Sequence, residues 1–168
     1  MAVVIMDGRV RCYWMTAAPA NLLLPTVAEL NAGTDLTPYV RPDGLDISMD
    51  TGEVDVGNVG STFTLLRAGR RKPTVALGMH HDATAGSTDP AWTLLVYRAV
   101  GTFAVRTGVD KATAWATGQG GGGTTGALMV IPLEVAEFSP SKPGPDTSWD
   151  FDVPVKVYLD PAWRAVVA

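Results

Sequence analysis

One stretch near the C-terminus constrains the chain more than any other. Phe151, Val153, Val155, Val157 and Leu159 alternate with Asp152, Pro154, Lys156 and Tyr158. A strict period of two is the signature of a strand with one face on a core. Pro154 has no N–H for a ladder, so an edge, a bulge or a bend is expected there. The same period recurs along the chain. Val10, Cys12 and Trp14 oppose Arg9, Arg11 and Tyr13, and Leu45, Ile47 and Met49 alternate with Asp46, Ser48 and Asp50. Val75, Leu77 and Met79 alternate with Thr74, Ala76 and Gly78, and Phe103 and Val105 with Thr102, Ala104 and Arg106. Alternating strand patterns of this kind dominate the chain.

The run from Ala127 to Phe138 differs, because Met129, Ile131, Leu133 and Val135 face one way while Val130, Pro132 and Ala136 make the other face apolar too. That predicts a strand covered on both sides. Two short helices interrupt the pattern. Thr26 and Glu29 have the spacing of a capping box, and Gly33 offers a left-handed stop. Asp89 followed by Pro90 reads as an N-cap and first helical residue, with Trp92, Leu95, Val96 and Ala99 on one face lying across a sheet. Long connections are expected at 51–61, 119–126 and 139–148, rich in glycine, threonine or proline, and such loops usually serve binding.

The chain has 168 residues, which fits a single domain over 1–168. Its 18 glycines and 12 prolines are spread without a three-residue repeat, which excludes collagen and long coiled coils. With 46% hydrophobic but only 18% charged residues it can bury a core, yet it has little charge to keep a lone monomer soluble. That imbalance points to apolar surface buried against other subunits. A formal charge of −4 argues against a protein that grips nucleic acid over a broad basic face. Cys12 has no second cysteine to pair with and reads as a small buried side chain in a reducing compartment. Arg9 and Arg11 follow the apolar N-terminal run instead of preceding it, the wrong order for a signal peptide, and no apolar run reaches the roughly 18 residues of a membrane span.

Catalytic constellations are weak. His80, His81 and Asp82 are adjacent at a strand end, where neighbouring side chains diverge, so the pair does not read as a metal site. Ser61 and Ser87 lie outside any G-x-S-x-G elbow. Gly118 to Gly123, GQGGGG, matches G-x-G-x-x-G but precedes a strand and lacks a helix N-terminus for phosphate, so a hairpin tip is expected. Neither Asp43 with Asp46 nor Asp150 with Asp152 forms an acid–base pair by spacing. Neither an enzyme nor a cofactor is expected. Arg67, Arg70, Arg71 and Lys72 read as a solvated strand-turn-strand connection or, alternatively, as a patch for an acidic partner, which could be another copy through Asp50, Glu53 and Asp55.

The segment Ala20 to Val40, ANLLLPTVAELNAGTDLTPYV, carries a more specific signal. From Pro25 to Thr37 it resembles, without a gap, a segment of the major tail protein, or tail tube protein, of long non-contractile-tailed phages, particularly those infecting actinobacteria. The similarity continues in order through the strand at Gly44 to Asp50, the acidic Val54-Asp55-Val56, Ser61 and Thr62, Gly69 and the helix with Trp92. It goes on through the strand ending at Arg106 and Gly108, the Ala112 to Gly118 turn with Trp115, the strand with Val130, Pro132 and Leu133, and a last strand near Tyr158.

The resemblance implies a β-sandwich or barrel-like tail tube fold that assembles as hexameric rings whose inner strands join into one continuous barrel. Stacked rings would form the tube of the virion tail, assembled in the host cytoplasm, with double-stranded DNA passing through without specific binding. Its partners would be further copies of itself and the tape-measure, tail terminator and distal tail proteins, with no membrane involved. By the same resemblance the N-terminal arm Ala2 to Gly8, the long loop Thr51 to Ser61 and the C-terminal arm Pro161 to Ala168 would meet neighbouring subunits. Asp50, Glu53, Asp55, Arg70 and Arg71 are the expected inter-ring contacts. The GGGG stretch and the Arg70-Arg71-Lys72 run depart from the family pattern. Another ring-forming virion component, a tail terminator or head-tail connector, and a non-polymerising decoration module stay open as alternatives.

Overall fold

The computed structural model describes residues 8–60, 62–82, 89–116, 127–140 and 149–168. Nine strands and two short helices follow one another as β1 (Val10–Met15), α1 (Val27–Asn31), β2 (Thr34–Asp35), β3 (Val40–Asp55), β4 (Leu66–His80), α2 (Pro90–Leu94), β5 (Val100–Thr107), β6 (Ala127–Val135), β7 (Ser139–Pro140), β8 (Asp150–Val157) and β9 (Ala162–Ala165). The strands form one antiparallel sheet in the order β2-β1-β5-β6-β8-β4-β3. β6 pairs with β5 along its whole length on one edge, while its other edge is shared by β9 at Leu128 and Val130 and by β8 from Leu133 to Val135. No helix among the described residues is long and apolar enough to cross a membrane.

The sheet folds over a core in which Trp14, Phe103, Val105, Ile131 and Leu133 pack with Leu77, Met79, Phe151 and Val153. Side chains from the β1-β5-β6 part thereby face side chains from the β4-β8 part. A second cluster covers the opposite face of β1, β5 and β6 with Leu30 of α1, Trp115, and Ala162 and Ala165 of β9. β6 is therefore covered on both sides, as its composition predicts. β1 is too, and this corrects the half-buried expectation: Tyr13 and Met15 meet Trp115 and Leu30 instead of solvent.

β8 keeps its alternation, with Phe151, Val153 and Val155 buried and Asp152, Pro154 and Lys156 exposed. Pro154 marks a change of partner. Pairing with β4 ends at Ala76 opposite Pro154, and pairing with β6 begins at Val155. The missing N–H falls where one ladder stops and the other starts.

The capping box of α1 forms, with Glu29 N donating to Thr26 Oγ1 and Thr26 N to Glu29 Oε2 at 2.7 Å. Gly33 is not a left-handed stop: the glycines at positive φ among the described residues are Gly8 and Gly108. It is small because a Cβ there would sit 2.9 Å from Met15 Cγ and 3.1 Å from the Trp14 carbonyl. α2 is capped by Asp89 with Pro90 behind it, but it ends at Leu94. Trp92, Leu95 and Ala99 of its expected apolar face pack on the core, whereas Val96 is exposed and the backbone leaves the helix before Arg98, at φ 63°. Trp92 meets Phe151 of β8 edge to face, with ring centroids 5.2 Å apart.

Candidate assembly interface

β3 and β4 continue far beyond the core as a two-stranded ribbon. At its base Leu45 pairs with Leu77 and Ile47 with Val75, which anchors it to the body. From Ser48 to Asp55 every residue of β3 is exposed, and on β4 so is all of Leu66 to Lys72 except the partly covered Gly69. The ladder still runs to Asp55 opposite Leu66, and Val56 N donates to the Leu65 carbonyl at 2.8 Å. Residues 51–55 are thus strand, which corrects the long loop expected at 51–61. Likewise Arg67 to Lys72 lie inside β4 and not in a turn. Backbone pairing needs no apolar alternation, so a ribbon wet on both faces reads like a loop.

The register settles how the charged residues lie. Asp50 is opposite Lys72, Thr51 opposite Arg71, Glu53 opposite Ala68, Val54 opposite Arg67 and Asp55 opposite Leu66. The register slips by one residue between Thr51 and Glu53, leaving Arg70 in a bulge beside Gly52. Both charge sets therefore belong to one ribbon, where the directly opposed pair of opposite charges, Asp50 and Lys72, favours the register. Arg71 lies on the core side, in a cleft of about 500 Å³ with Met49, Pro73, Tyr158, Leu159 and Trp163.

Two properties set the ribbon apart from the body. The outer edge of β3 has no partner strand among the described residues, and β8 covers β4 only from Ala76 to His80. The arm also exposes Val54, Val56, Phe63, Leu65 and Leu66 at 46–79% and Val59 fully. A lone two-stranded ribbon is marginal in water, and an apolar patch on an open sheet edge is a template for another chain.

The other expected contact regions behave differently. The C-terminal residues fold back onto the chain's own body: β9 pairs with β6, Val166 N donates to the Leu23 carbonyl and Ala168 N to that of Pro25, each at 2.9 Å. The N-terminal arm up to Asp7, Ser61, Ser87, the GQGGGG motif and 141–148 lie outside the described residues. The two histidines separate as their strand position requires. His80 Nδ1 is 2.7 Å from Asp150, and His81 Nδ1 is 2.7 Å from Asp89, between the rings of Trp92 and Trp149. Among the described residues no three His, Cys, Asp or Glu side chains gather to hold a metal ion. The Cys12 thiol is pushed up to about 12 by burial and by Asp35.

One polar cluster went unread in the sequence. Arg11 and Arg106 are cross-strand neighbours, and both guanidiniums lie over Trp115, at 4.7 and 4.9 Å from its ring. Arg106 is fully buried and donates to the carbonyls of Asp110, Thr113 and Ala114, while Arg11 donates to Thr113 and to the Tyr13 hydroxyl. Burial and the nearby Arg11 charge pull Arg106 below the ordinary arginine value. The pair pins the 108–116 segment onto the sheet. Its only trace in the sequence is an arginine at the end of an alternating strand.

Comparison with known proteins matches this architecture. No curated protein sequence matches the chain. Among solved structures, a chain of the anti-feeding prophage (AFP) baseplate, determined by cryo-EM with six-fold symmetrisation, superposes with a TM-score of 0.50 at 8% identity over 96% of this chain and 95% of that one. At that identity the likeness is one of fold. The model of the family described as phage tail tube protein matches residues 1–168. By the family match this mostly antiparallel β-domain belongs to the phage tail tube proteins.

Proposed function

We propose that the chain builds a tail tube by joining ribbons edge to edge. The observation that carries this reading is a ribbon with two edges unpaired among the described residues, β3 on one side and the outer part of β4 on the other. Placing the β3 edge of one copy against the β4 edge of the next continues an antiparallel sheet, and a head-to-tail contact of this kind gives a ring when its rotation closes. The six-fold symmetrisation of the structurally similar baseplate chain supports six copies per ring. Exposed Val54, Val56, Val59 and Phe63 near the ribbon end would meet neighbouring copies or the next ring. Asp50, Glu53, Asp55, Arg70 and Arg71, on the same ribbon, would set the register of those contacts.

In this reading the protein is structural and not catalytic. Rings stack into the tube of a long non-contractile tail, assembled in the host cytoplasm with tape-measure, terminator and distal tail proteins, and double-stranded DNA leaves through the lumen. Negative-stain microscopy of the purified protein separates the readings. Long hollow tubes support this one, single rings a terminator or connector, and featureless particles a decoration module. Failure to form tubes under every assembly condition, virion initiator proteins included, would overturn it.

A further inference from the structure

The two strands of the ribbon divide its charge by sign. From Leu45 to Asp55, β3 carries Asp46, Asp50, Glu53 and Asp55 and no Lys or Arg, whereas β4 carries Arg67, Arg70, Arg71 and Lys72 and no Asp or Glu. The division holds on both faces of the ribbon. Alternation places Glu53 and Asp55 on the core side with Arg71, and Asp46 and Asp50 on the other side with Arg67 and Lys72. All of these side chains are exposed, and among the described residues none of them is in an ion pair.

Pro73 bounds the basic stretch. It pairs with Met49 inside a run that keeps its register from Leu45 opposite Leu77 to Thr51 opposite Arg71. A proline fits such a ladder only at a pair that exchanges no hydrogen bonds, so its nitrogen, which has no proton, is turned to the open edge of β4. A strand added to that edge therefore pairs over Leu66 to Lys72 and loses the ladder at Pro73. All four bases lie within that span, and the β3 edge from Leu45 to Asp55 holds no proline.

We propose that this division of charge selects the direction of assembly, admitting the β3 edge of one copy to the β4 edge of the next and rejecting like edges. The inference rests on the tube reading above. Two β4 edges would bring two sets of four bases together, and two β3 edges two sets of four acids. Like charges across a seam are destabilising and suppress the wrong pairing. Like-edge pairs also relate copies by a two-fold axis, which turns one copy over and has no place in a ring of head-to-tail contacts. Unlike edges meet with opposite signs on both faces. The partner that fits each edge is thus a second copy in the same orientation.

The test mixes two full-length variants. Asp50→Asn/Glu53→Lys/Asp55→Lys makes the β3 edge basic, with Asn chosen so that Lys72 faces no like charge in its own chain. Arg67→Glu/Arg70→Glu/Arg71→Glu makes the β4 edge acidic. Each alone should keep a urea midpoint close to that of the wild type and yield at least about tenfold less pelleted tube. An equimolar mixture should recover tubes that hold the two variants in equal amounts, because each favourable seam then joins one variant to the other. Assembly of either variant alone at the wild-type yield, a mixture that stays unassembled while both monomers fold, or mixed tubes of unequal composition would each overturn the proposal. If a triple variant fails to fold, Glu53→Lys/Asp55→Lys and Arg67→Glu/Arg71→Glu carry the test, since the cross-strand neighbours Ala68, Leu66, Val54 and Thr51 are uncharged. Mixing should then recover the yield that each has lost, and no recovery overturns the proposal as well. Absence of tubes from the wild type is a different result, which removes the tube reading itself.

Discussion

β5 and the outer part of β3 are both antiparallel strands, yet they meet opposite surroundings. Gly101 to Arg106 are buried on both faces, whereas Ser48 to Asp55 are exposed on both. The first draws its stability from two apolar clusters, one on either side. The second is held by its ladder and by the anchor at Leu45, Ile47, Val75 and Leu77. The body thus has its own core, while the ribbon, among the described residues, has an outer β3 edge without a partner strand and exposed apolar groups. The proposed function therefore puts stability and assembly in different parts of one continuous sheet.

Changes that separate the two regions test this division, and the largest effect is expected on the ribbon. Replacing exposed Val54 and Val56 together by Lys should abolish tubes in the microscope while leaving the monomer's unfolding midpoint within the small range of surface substitutions, about ±0.5 kcal/mol each. A loss of monomer stability as large as the loss of assembly would erase the distinction. In the body, Phe103→Ala should destabilise the monomer by about 3–5 kcal/mol in urea unfolding, because it empties a fully buried site between β1 and β6. Next comes Arg106→Met. It strands the carbonyls of Asp110, Thr113 and Ala114 and should cost about 1–3 kcal/mol, with faster amide exchange confined to 108–116.

The smallest effect belongs to α1. Thr26→Ala removes the cap and should cost about 1 kcal/mol. Hydrogen bonds from the Ala20 amide, the Thr26 amide and the Thr26 hydroxyl lower the Glu29 carboxyl below its ordinary 4.5. A group depressed in the folded state contributes stability that is full above its unfolded value and is lost as the pH falls through the folded one. Wild type should therefore lose more stability than Glu29→Gln on acidification from pH 5 downward, a difference visible in paired melts.

Legibility followed burial. Where one face met the core, as at Phe151 to Val155, the period of two located the strand and its inward residues. Where both faces were apolar, as from Ala127 to Val135, composition showed the double cover. The ribbon failed that test because neither face is buried, so Glu53, Asp55 and the glycines read as loop while the backbone paired regardless. The charged candidates Asp50, Glu53, Asp55, Arg70 and Arg71 lie on one ribbon, but their mutual register, Asp50 across from Lys72, is a property of pairing that no local pattern carries. The ion pairs of Arg41 with Asp150 and Asp152 were hidden for a similar reason, since they need both the β3–β4 and the β4–β8 pairing.

Hydrogen exchange, followed on the monomer and on assembled tubes, addresses the central claim most directly. Amides of Ser48 to Asp55 and Leu66 to Thr74 should exchange quickly in the monomer and slow by at least about 100-fold in tubes as the open edges pair, while β5 amides stay protected in both. Tubes whose ribbon amides exchange as fast as the monomer's would contradict it, because assembly would then proceed through some other surface.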